Sequence, residues 1–347
     1  MRLYVTKQSK KEGVSMIKIA VDAMGGDYAP QQQVKGAMEA IKRIDDIEVT
    51  LYGDPEKIQQ FLSDDTRIKV VESEGTIAMG EKDPIRAIRS NRKSSMAMAI
   101  LSVRDGSNDA VVSSGATQAL IAGAHILLGR MKSMKRTAIA PLIPNVKGDN
   151  TILLDCGANL EIKPEFMVQQ AHFASVYAKE IMEIPNPSVG LLNIGTEEGK
   201  GRELDREVYT LLQNNEVINF AGNVEPKVVL DPPCDILISD GFTANIVMKT
   251  LEGTAKGVGS MLKQELSRGI FGKLGLLFSV RNLKRLKNRL AAEEIGGAMI
   301  YGLKGVVIKA QGASKSHGFF NAINQAARVV RKDVIRKVSD VIEKEEG

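Results

Sequence analysis

Short runs of Val, Ile and Leu recur along the chain, each followed by a loop of small residues and then by a helical pattern. This alternation is typical of strands and helices wound around a parallel sheet. Because the runs are almost continuously apolar, we expect the strands to be buried on both faces. The predicted fold class is α/β, a mainly parallel sheet between helices. The clearest predicted strands are Ile17 to Val21, Ile47 to Tyr52, Ile68 to Val71, Ala110 to Ser113, Thr151 to Leu154, Val189 to Asn193, Val217 to Phe220 and Ile236 to Ser239.

The composition is that of a globular protein in a reducing compartment. Hydrophobic residues make up 43% and charged residues 26% of the 347 residues, and no window approaches the roughly 18 apolar residues of a membrane span. Cys156 and Cys234 are far apart and lack metal-ligand spacing, which favours a cytoplasmic protein. Residues 1–15 lack the apolar run of a secretory signal. We expect a disordered extension over 1–15 and a single α/β domain over 16–347.

The loops that follow the predicted strands carry most of the functional signal. In an open parallel sheet such loops meet at the carboxyl edge, where ligands bind. Glycine lets the backbone approach a ligand, and free amides at helix starts favour an anion. Any single loop is as well explained by turn and capping chemistry, but six together favour a phosphate site. The loops are Asp22 to Asp27, Ser113 to Thr117, Asp155 to Asn159, Asn193 to Thr196, Gly222 to Asn223 and Ser239 to Thr243.

Two common phosphate-binding motifs are not present. The loop from Asp22 to Asp27 lacks the Gly-x-Gly-x-x-Gly spacing of a dinucleotide site. The segment Gly195 to Lys200 is one residue too short for a P-loop, and Gly201 stands where Ser or Thr would coordinate magnesium. These differences disfavour a nicotinamide cofactor and nucleotide hydrolysis. Nothing in the sequence indicates a metal or redox cofactor.

No side-chain nucleophile stands out. The three histidines form neither a metal-ligand nor a catalytic-triad pattern, and there is no Gly-x-Ser-x-Gly elbow. Cys156 has no base near it in sequence, so a small packing residue explains it better than a nucleophile does. The sequence therefore favours a mechanism in which the bound anion is itself the nucleophile.

An ordered set of motifs resembles one known family, the PlsX-type phosphate acyltransferases. The similarity runs from about Met16 to the final helix. Tyr28 and Gln311 stand where some relatives have His, which weakens any mechanism that needs an imidazole there. The motifs that carry the resemblance are Asp22-Ala-Met-Gly-Gly-Asp27, Asp155-Cys-Gly-Ala-Asn159, Leu192-Asn-Ile-Gly-Thr-Glu197, Asn219-Phe-Ala-Gly-Asn-Val-Glu225 and Ser239-Asp-Gly-Phe-Thr-Ala-Asn245.

The resemblance implies a fold, a reaction and partners. The implied fold is Rossmann-like and distantly related to that of phosphotransacetylases and isocitrate dehydrogenase, and the implied assembly is a homodimer. In the implied reaction, inorganic phosphate displaces the thiol of acyl carrier protein from a long-chain fatty acyl thioester. The acyl-phosphate then passes to a membrane glycerol-3-phosphate acyltransferase for phosphatidic acid synthesis. Two other functions stay open: a short-chain acyl-CoA phosphotransacetylase and a non-enzymatic membrane scaffold for lipid enzymes.

The resemblance and the chemistry of the loops together give the candidate site residues. Lys200 is assigned to neutralise phosphate or the developing oxyanion, with a solvated loop lysine as the alternative, and Asn245 to hydrogen-bond the thioester carbonyl or phosphate. Because carboxylates repel anions, we expect Asp22, Asp155 and Asp240 to cap helices or orient lysines. The candidate phosphate or substrate contacts are Gly25, Gly26, Asp27, Ser114, Gly115, Thr117, Asn159, Gly195, Thr196, Asp240 and Arg86.

Two basic regions are potential contact surfaces. Arg86, Arg89 and Lys93 follow Pro84 at helical spacing, and we expect a basic helical stripe that contacts phosphate or an acidic carrier protein or is merely solvated.

The second region is a projecting helical segment at about 254–292. Lys263 to Arg289 contains eight basic residues and one acid. Apolar residues flanked by cations are typical of an interfacial helix on an anionic membrane, so we expect a peripherally membrane-associated protein. Docking of acidic acyl carrier protein and a dimer-forming arm stay open, whereas nucleic acid is disfavoured because aromatics total 4%. The expected contact residues are Ile270, Phe271, Leu277, Phe278, Arg281, Lys284 and Arg285.

Overall fold

The computed structural model describes residues 16–63, 66–290 and 296–346, with the side chains of 287–290 and 346 left out of the description. The predicted extension over 1–15 and positions 291–292 of the predicted helical segment lie outside these ranges. The side chains of Lys287 and Arg289, counted among the basic residues above, also lie outside them.

The described strands form two sheets where the sequence predicted one. The first has seven strands in the order β3-β2-β1-β4-β12-β11-β5, and the second has five in the order β6-β7-β10-β8-β9. Pairing is parallel except for the contacts of β11 with β12 and β5 and of β6 with β7. The strands are β1 Ile17–Asp22, β2 Ile47–Gly53, β3 Ile68–Glu72, β4 Ala110–Ser113, β5 Ala138–Ala140, β6 Leu142–Pro144, β7 Asn150–Leu154, β8 Ser188–Leu192, β9 Asn219–Val224, β10 Ile236–Ile238, β11 Ala298–Tyr301 and β12 Val306–Lys309.

Seven of the eight predicted strands lie within one residue of their expected bounds. The prediction for Val217 to Phe220 is wrong in position, because β9 begins at Asn219 and runs on to Val224. The strands β5, β6, β11 and β12 were missed, since each has only three or four residues.

Helices cover both faces of each sheet. Side chains of β1 alternate between the faces: Ile19 and Val21 pack with α1 and α10, and Ala20 packs with α4. On the second sheet, α6 and α7 cover one face and α8 begins on the other. The helices are α1 Gln31–Arg43, α2 Pro55–Gln59, α3 Pro84–Ser90, α4 Ser95–Arg104, α5 Thr117–Gly123, α6 Pro164–Ile181, α7 Glu203–Gln213, α8 Gly241–Leu266, α9 Gly269–Leu290, α10 Ser316–Arg331 and α11 Val334–Glu346.

One cluster of buried apolar residues extends across both sheets. It contains Val21 and Val112 of the first sheet together with Leu154 and Ile238 of the second. The stacked rings of Phe173 on α6 and Tyr301 on β11, with centroids 4.2 Å apart, also lie in this cluster. The two sheets therefore share a hydrophobic core, which fixes the position of their carboxyl edges.

The helices α8 and α9 are mostly exposed. Within α8 only Gly241 and Ala244 are buried, and the partly buried Val247, Met248 and Leu251 still pack against the core, so the helix leaves the core beyond Leu251. Large apolar side chains on α9 face solvent, including Phe271 at 90% and Phe278 at 83% exposure. Ile270, Leu277, Arg281, Lys284 and Arg285 are exposed as well. Among the described residues, no helix combines the length and apolar character needed to cross a membrane.

Candidate active site

Six loops lie at the carboxyl edges of the parallel strands. Five of them are among the six predicted loops; the prediction of a loop at Gly222 to Asn223 is wrong, because these residues lie within β9, and residues 310–314 after β12 form the sixth. The adjacent strands β1, β4 and β12 are followed by the loops 23–27, 114–117 and 310–314, which we call the first loop group. The adjacent strands β7, β10 and β8 are followed by the loops 155–159, 239–241 and 193–201, which we call the second loop group. This is the position where open α/β sheets bind ligands.

Hydrogen bonds hold the first loop group together. The Ser114 hydroxyl donates to the Gly25 carbonyl at 2.7 Å. Gln33 Nε2 on α1 donates to the same carbonyl at 2.7 Å and to the Ser114 hydroxyl oxygen at 2.9 Å. The amide of Asp27 donates to the Gly312 carbonyl at 2.9 Å. Because Ser114 is fully buried and its proton is used internally, its observed contacts position the loops.

Two glycines make the close approach of these loops possible. A Cβ on Gly25 would lie 2.8 Å from the Gly115 amide nitrogen. Gly26 has φ of +103°, and a Cβ there would lie 2.7 Å from the Ser114 hydroxyl oxygen. Only glycine combines that backbone conformation with that lack of space. The sequence prediction that Gly25, Gly26, Ser114 and Gly115 lie together is confirmed by these contacts.

Asp22 lies beneath these loops and is 1% exposed. Burial raises the pKa of Asp22. The hydroxyl groups of Ser95 and Ser113 donate to its carboxylate at 2.6 and 2.7 Å and oppose this shift. Asp22 thus binds serines on α4 and β4. Of the two predicted roles, capping a helix is wrong, whereas the charge of Asp22 does act on the pKa of a lysine, Lys309.

Lys309 is a site residue that the sequence prediction missed. It ends β12 directly beside Ser113 of β4 and is only 8% exposed. Burial lowers its pKa to about 8, with opposing contributions from Asp22 and Asp27. The signal was a lysine that closes the apolar run Val306-Val-Ile, two residues before Gln311, to which the family resemblance had drawn attention.

Asp155 holds together the loop after β7, which belongs to the second loop group. Its carboxylate accepts the amides of Ile139 and Ala158 at 3.0 and 2.9 Å, and both the amide and the side chain of Asn159 at 2.8 Å. Asn159 also donates to the Thr137 carbonyl at 2.5 Å. Both protons of the Asn159 amide group are therefore used within the protein, and its observed role is to fold the loop.

Asp240 caps α8, as the sequence predicted. Its carboxylate accepts the amides of Phe242 and Thr243 at 3.1 and 3.0 Å, and it pairs with Arg202. Burial raises the pKa of Asp240, but the hydrogen bonds from Arg202 and Thr243 outweigh it and hold the pKa below its usual value. Arg202 also binds Asp205 at 2.8 Å, so this guanidinium ties the start of α7 to the start of α8.

Asn245 projects from the first turns of α8 toward Gly157. Its Nδ2 atom lies 3.1 Å from the position of a Cβ on Gly157, which has φ of +114°. Among the described residues, the Asn245 side chain makes no hydrogen bond. It is partly buried, so this amide is available to a ligand.

Lys200 lies in the loop after β8, next to Gly195. A Cβ on Gly195 would lie 2.9 Å from Lys200 Cγ, and Asn193 Nδ2 donates to the Lys200 carbonyl at 3.1 Å. The ammonium is 3.8 Å from the Glu197 carboxylate, and the side chain is 49% exposed. The structure thus fixes the Lys200 backbone and leaves its ammonium accessible.

The two loop groups lie close to one another. The Cys156 amide donates to the Ile139 carbonyl of β5 at 2.9 Å, which joins the second loop group to the first sheet. The charge of Lys249 on α8 influences the pKa of both Cys156 and Lys309. The candidate cleft therefore has Lys309 on one side, Asn245 and Cys156 on the other, and Lys249 near both.

The titratable groups of the described cleft include no activated nucleophile. Burial, and then the charge of Asp155, raises the pKa of Cys156 well above its usual value. Thiols react as thiolates, so Cys156 is inert here. His172 lies outside the cleft, where burial lowers its pKa to about 4, and within the described ranges no group of three or more metal-binding side chains was found.

Three further predicted contacts are exposed or lie outside the two loop groups. Thr117 and Thr196 are exposed. Among the described residues, no hydrogen bond or ion pair joins the Arg86 guanidinium to either loop group. The predicted stripe is wrong at Lys93, which lies beyond the end of α3 and pairs with Glu74 at 2.6 Å.

A separate cavity of about 780 Å³ opens at the opposite, amino-terminal edge of the second sheet. Tyr177, Cys234 and Arg328 are among its lining residues. It contains none of the candidate site residues, so strand polarity locates the candidate site better than cavity size does.

Comparison with known proteins places the chain in a family. A family model described as "Fatty acid synthesis protein" matches residues 17–337. A phosphate acyltransferase of Acholeplasma laidlawii is 49% identical over 329 residues, covering 94% of this chain and 98% of the relative. A phosphate acyltransferase of Bacillus cereus is 44% identical, covering 95% and 99%.

A solved structure shows the same fold. A phosphotransacetylase from Streptococcus pyogenes superposes with a TM-score of 0.61 at 14% identity, covering 91% of this chain and 94% of that chain. The predicted relation to the phosphotransacetylase fold is confirmed. By its sequence match over nearly its whole length, the chain belongs to the phosphate acyltransferase family of fatty acid synthesis proteins, which are transferases.

Proposed function

We propose that this chain transfers a long-chain fatty acyl group from acyl carrier protein to inorganic phosphate, giving acyl-phosphate for phosphatidic acid synthesis. The observation that carries the proposal is the meeting of glycine-rich strand ends with a free amide from Asn245, beside an inert Cys156. A site that positions an anion but has no activated thiol suits attack by the anion itself.

The proposed reaction is a single displacement. A phosphate oxygen attacks the thioester carbonyl carbon, the carbonyl oxygen takes up negative charge, and the carbon–sulfur bond then breaks. The thiolate leaves and takes up the proton that hydrogen phosphate gives up on forming the new oxygen–carbon bond. Asn245 Nδ2 stabilises the charge on the carbonyl oxygen, and the half-exposed Lys200 ammonium neutralises phosphate. Such donors act because they are fixed before the charge develops.

The exposed surface of α9 suits acidic or membrane partners. Its apolar residues Phe271, Leu277 and Phe278 are 69–90% exposed, and Arg281, Lys284 and Arg285 follow them. An exposed apolar patch next to cations fits the headgroup region of an anionic leaflet. We propose that the enzyme binds the membrane surface peripherally through α9, close to the acyltransferase that takes its product.

Two further partners belong to the proposal. Acidic acyl carrier protein would dock beside the cleft to deliver its thioester, steered by surface cations. A second copy of the chain would pack on the exposed apolar residues of α8, among them Val258 and Met261.

The test supplies purified protein with labelled inorganic phosphate and one of two thioesters. With palmitoyl-acyl carrier protein we expect labelled acyl-phosphate and free carrier thiol in equal amounts. Consumption of acetyl-CoA alone would show a short-chain phosphotransacetylase. If neither thioester reacts while the protein still sediments with lipid vesicles, a scaffold role replaces the enzymatic one.

A further inference from the structure

Lys309 is a buried cation whose charge is not matched by a contact. Its residue is 8% exposed, and within residues 16–63, 66–290 and 296–346 its ammonium makes no ion pair with a carboxylate. Its hydrogen bond goes to the carbonyl of the next residue, Ala310. An ammonium has three donors, so two are left without a hydrogen-bond partner among the described residues.

Burying such a charge is costly unless something compensates for it. The charged groups that act on Lys309 are Asp22, Asp27 and Lys249. Asp22 is already bound by two serine hydroxyls, and Lys249 repels Lys309 and pairs with Glu252 at 3.0 Å. Asp22 and Asp27 thus act on Lys309 without an ion-pair contact among the described residues, and the first loop group lies at the same strand end.

We propose that Lys309 is a ligand of the phosphate substrate, held by β12 at the floor of the first loop group. This inference rests on the proposed function for the identity of the anion. The bound phosphate gives the buried ammonium the contacting anion that it does not have within the described residues, and the ammonium fixes one phosphate oxygen so that another can face the thioester. Lys200 and Asn245 act from the second loop group, on the other side of the same anion.

The buried environment makes this contact sensitive to pH. Burial brings the pKa of Lys309 down to about 8, with the charge of Lys249 acting in the same direction and Asp22 and Asp27 acting against it. Only the protonated amine attracts an anion, so the charge is present below this pKa and is lost as the pH rises through it. Phosphate binding should therefore weaken above about pH 8.

The experiment compares Lys309→Met with Lys309→Arg and with Lys304→Met, an exposed lysine just before the same strand. Binding of inorganic phosphate is measured by titration calorimetry without thioester, and KM is measured for phosphate and for the thioester donor. We expect Lys309→Met to weaken phosphate binding by about tenfold or more with little change in the thioester KM. Lys309→Arg should keep most of the affinity, and Lys304→Met should match the wild type.

Folding and pH controls separate binding from structure. Lys309→Met should melt no lower than the wild type, because it removes an unpaired buried charge. The loss of affinity above about pH 8 should disappear in Lys309→Met. A folded Lys309→Met that binds phosphate as the wild type does, at every pH, would overturn the inference. So would a wild type that binds no phosphate.

The outcome also distinguishes this inference from the proposed function. A wild type that binds phosphate through Lys309 but consumes no thioester would support the ligand role and reject acyl transfer. If the wild type transfers the acyl group and Lys309→Met has the same KM for phosphate as the wild type, acyl transfer would be supported and the ligand role of Lys309 rejected. If Lys309→Met fails to fold, Lys309→Arg and the pH profile of the wild type decide.

Discussion

At the scale of the residue, contacts sort chemically similar side chains into different roles. Asn159 and Asn245 both lie in the second loop group, yet Asn159 donates both amide protons within the protein. Asn245 makes no hydrogen bond among the described residues and faces Gly157. A polar group placed in a cleft without a partner is available to bind substrate or a developing charge.

Substituting Asn245 tests that role. In Asn245→Ala, turnover at saturating substrate should fall by about 100-fold, since a fixed donor to the oxyanion is lost. The matched control is Asn214→Ala, which changes an exposed asparagine at the end of α7. Steady-state kinetics with the thioester and phosphate provide the measurement. Near-normal turnover in Asn245→Ala would remove this residue from the mechanism.

At the scale of the element, missed or displaced strands show what hydrophobic pattern alone detects. The strand β9 lies at the edge of its sheet and is only partly buried over its first four residues. Its sequence Asn219-Phe-Ala-Gly therefore lacks a continuous apolar run, and Val217 and Ile218 before it drew the prediction too far upstream. The strand β12 is central but has four residues, too few to separate it from a buried loop by pattern.

The Arg202 bridge between α7 and α8 contributes to stability. In Arg202→Ala, the buried Asp240 loses its charged partner, and the free energy of unfolding should fall by about 1–2 kcal/mol, a modest loss because the guanidinium is half exposed. Urea denaturation gives the measurement, with Arg206→Ala, one turn further along α7, as control. Equal loss in both variants would contradict a specific role for the bridge.

This contribution depends on pH with a definite sign. Since Arg202 and Thr243 hold the Asp240 pKa below its usual value against the effect of burial, the stabilisation is present above the pKa of an unfolded aspartate. It is lost as the pH falls through the folded pKa. The stability difference between the wild type and Arg202→Ala should therefore shrink below about pH 4.

The exposed face of α9 is the element on which membrane association depends. In the double variant Phe271→Ser with Phe278→Ser, two side chains 90% and 83% exposed lose their apolar surface. Each buried phenyl contributes about 1.5–3 kcal/mol, so partitioning onto anionic vesicles should fall at least about tenfold. Val146→Ser with Val217→Ser, at exposed sites on the body, serves as control in vesicle sedimentation at low salt. Unchanged binding of the α9 variant would contradict the proposed contact.

At the scale of the whole molecule, the sequence did not predict the order of the strands. Strand β10 inserts between β7 and β8, and β12, from near the end of the chain, inserts between β4 and β11. These pairings join residues far apart in sequence, which local periodicity does not encode. They split the predicted single sheet into two and bring Lys309 beside Ser113.

The candidate site was predictable where it depended on loop chemistry. Gly25, Gly26, Ser114 and Gly115 follow predicted strands, and strand polarity alone brings their loops together. The sequence did not predict which residues hold those loops together and which are available to a ligand. That difference depends on which donor protons already form hydrogen bonds within the protein. Ser114 and Asn159 hold the loops, and the buried Lys309 becomes evident only when β12 is placed.

The most direct test of the account is whether phosphate attacks the thioester without an acyl-enzyme. Protein is mixed with radiolabelled palmitoyl-acyl carrier protein and quenched on the millisecond scale, with and without inorganic phosphate. The account predicts no protein-bound label and no thiol release without phosphate, and one acyl-phosphate per thiol released with it. A burst of thiol with labelled protein in the absence of phosphate would contradict it and point to a side-chain nucleophile.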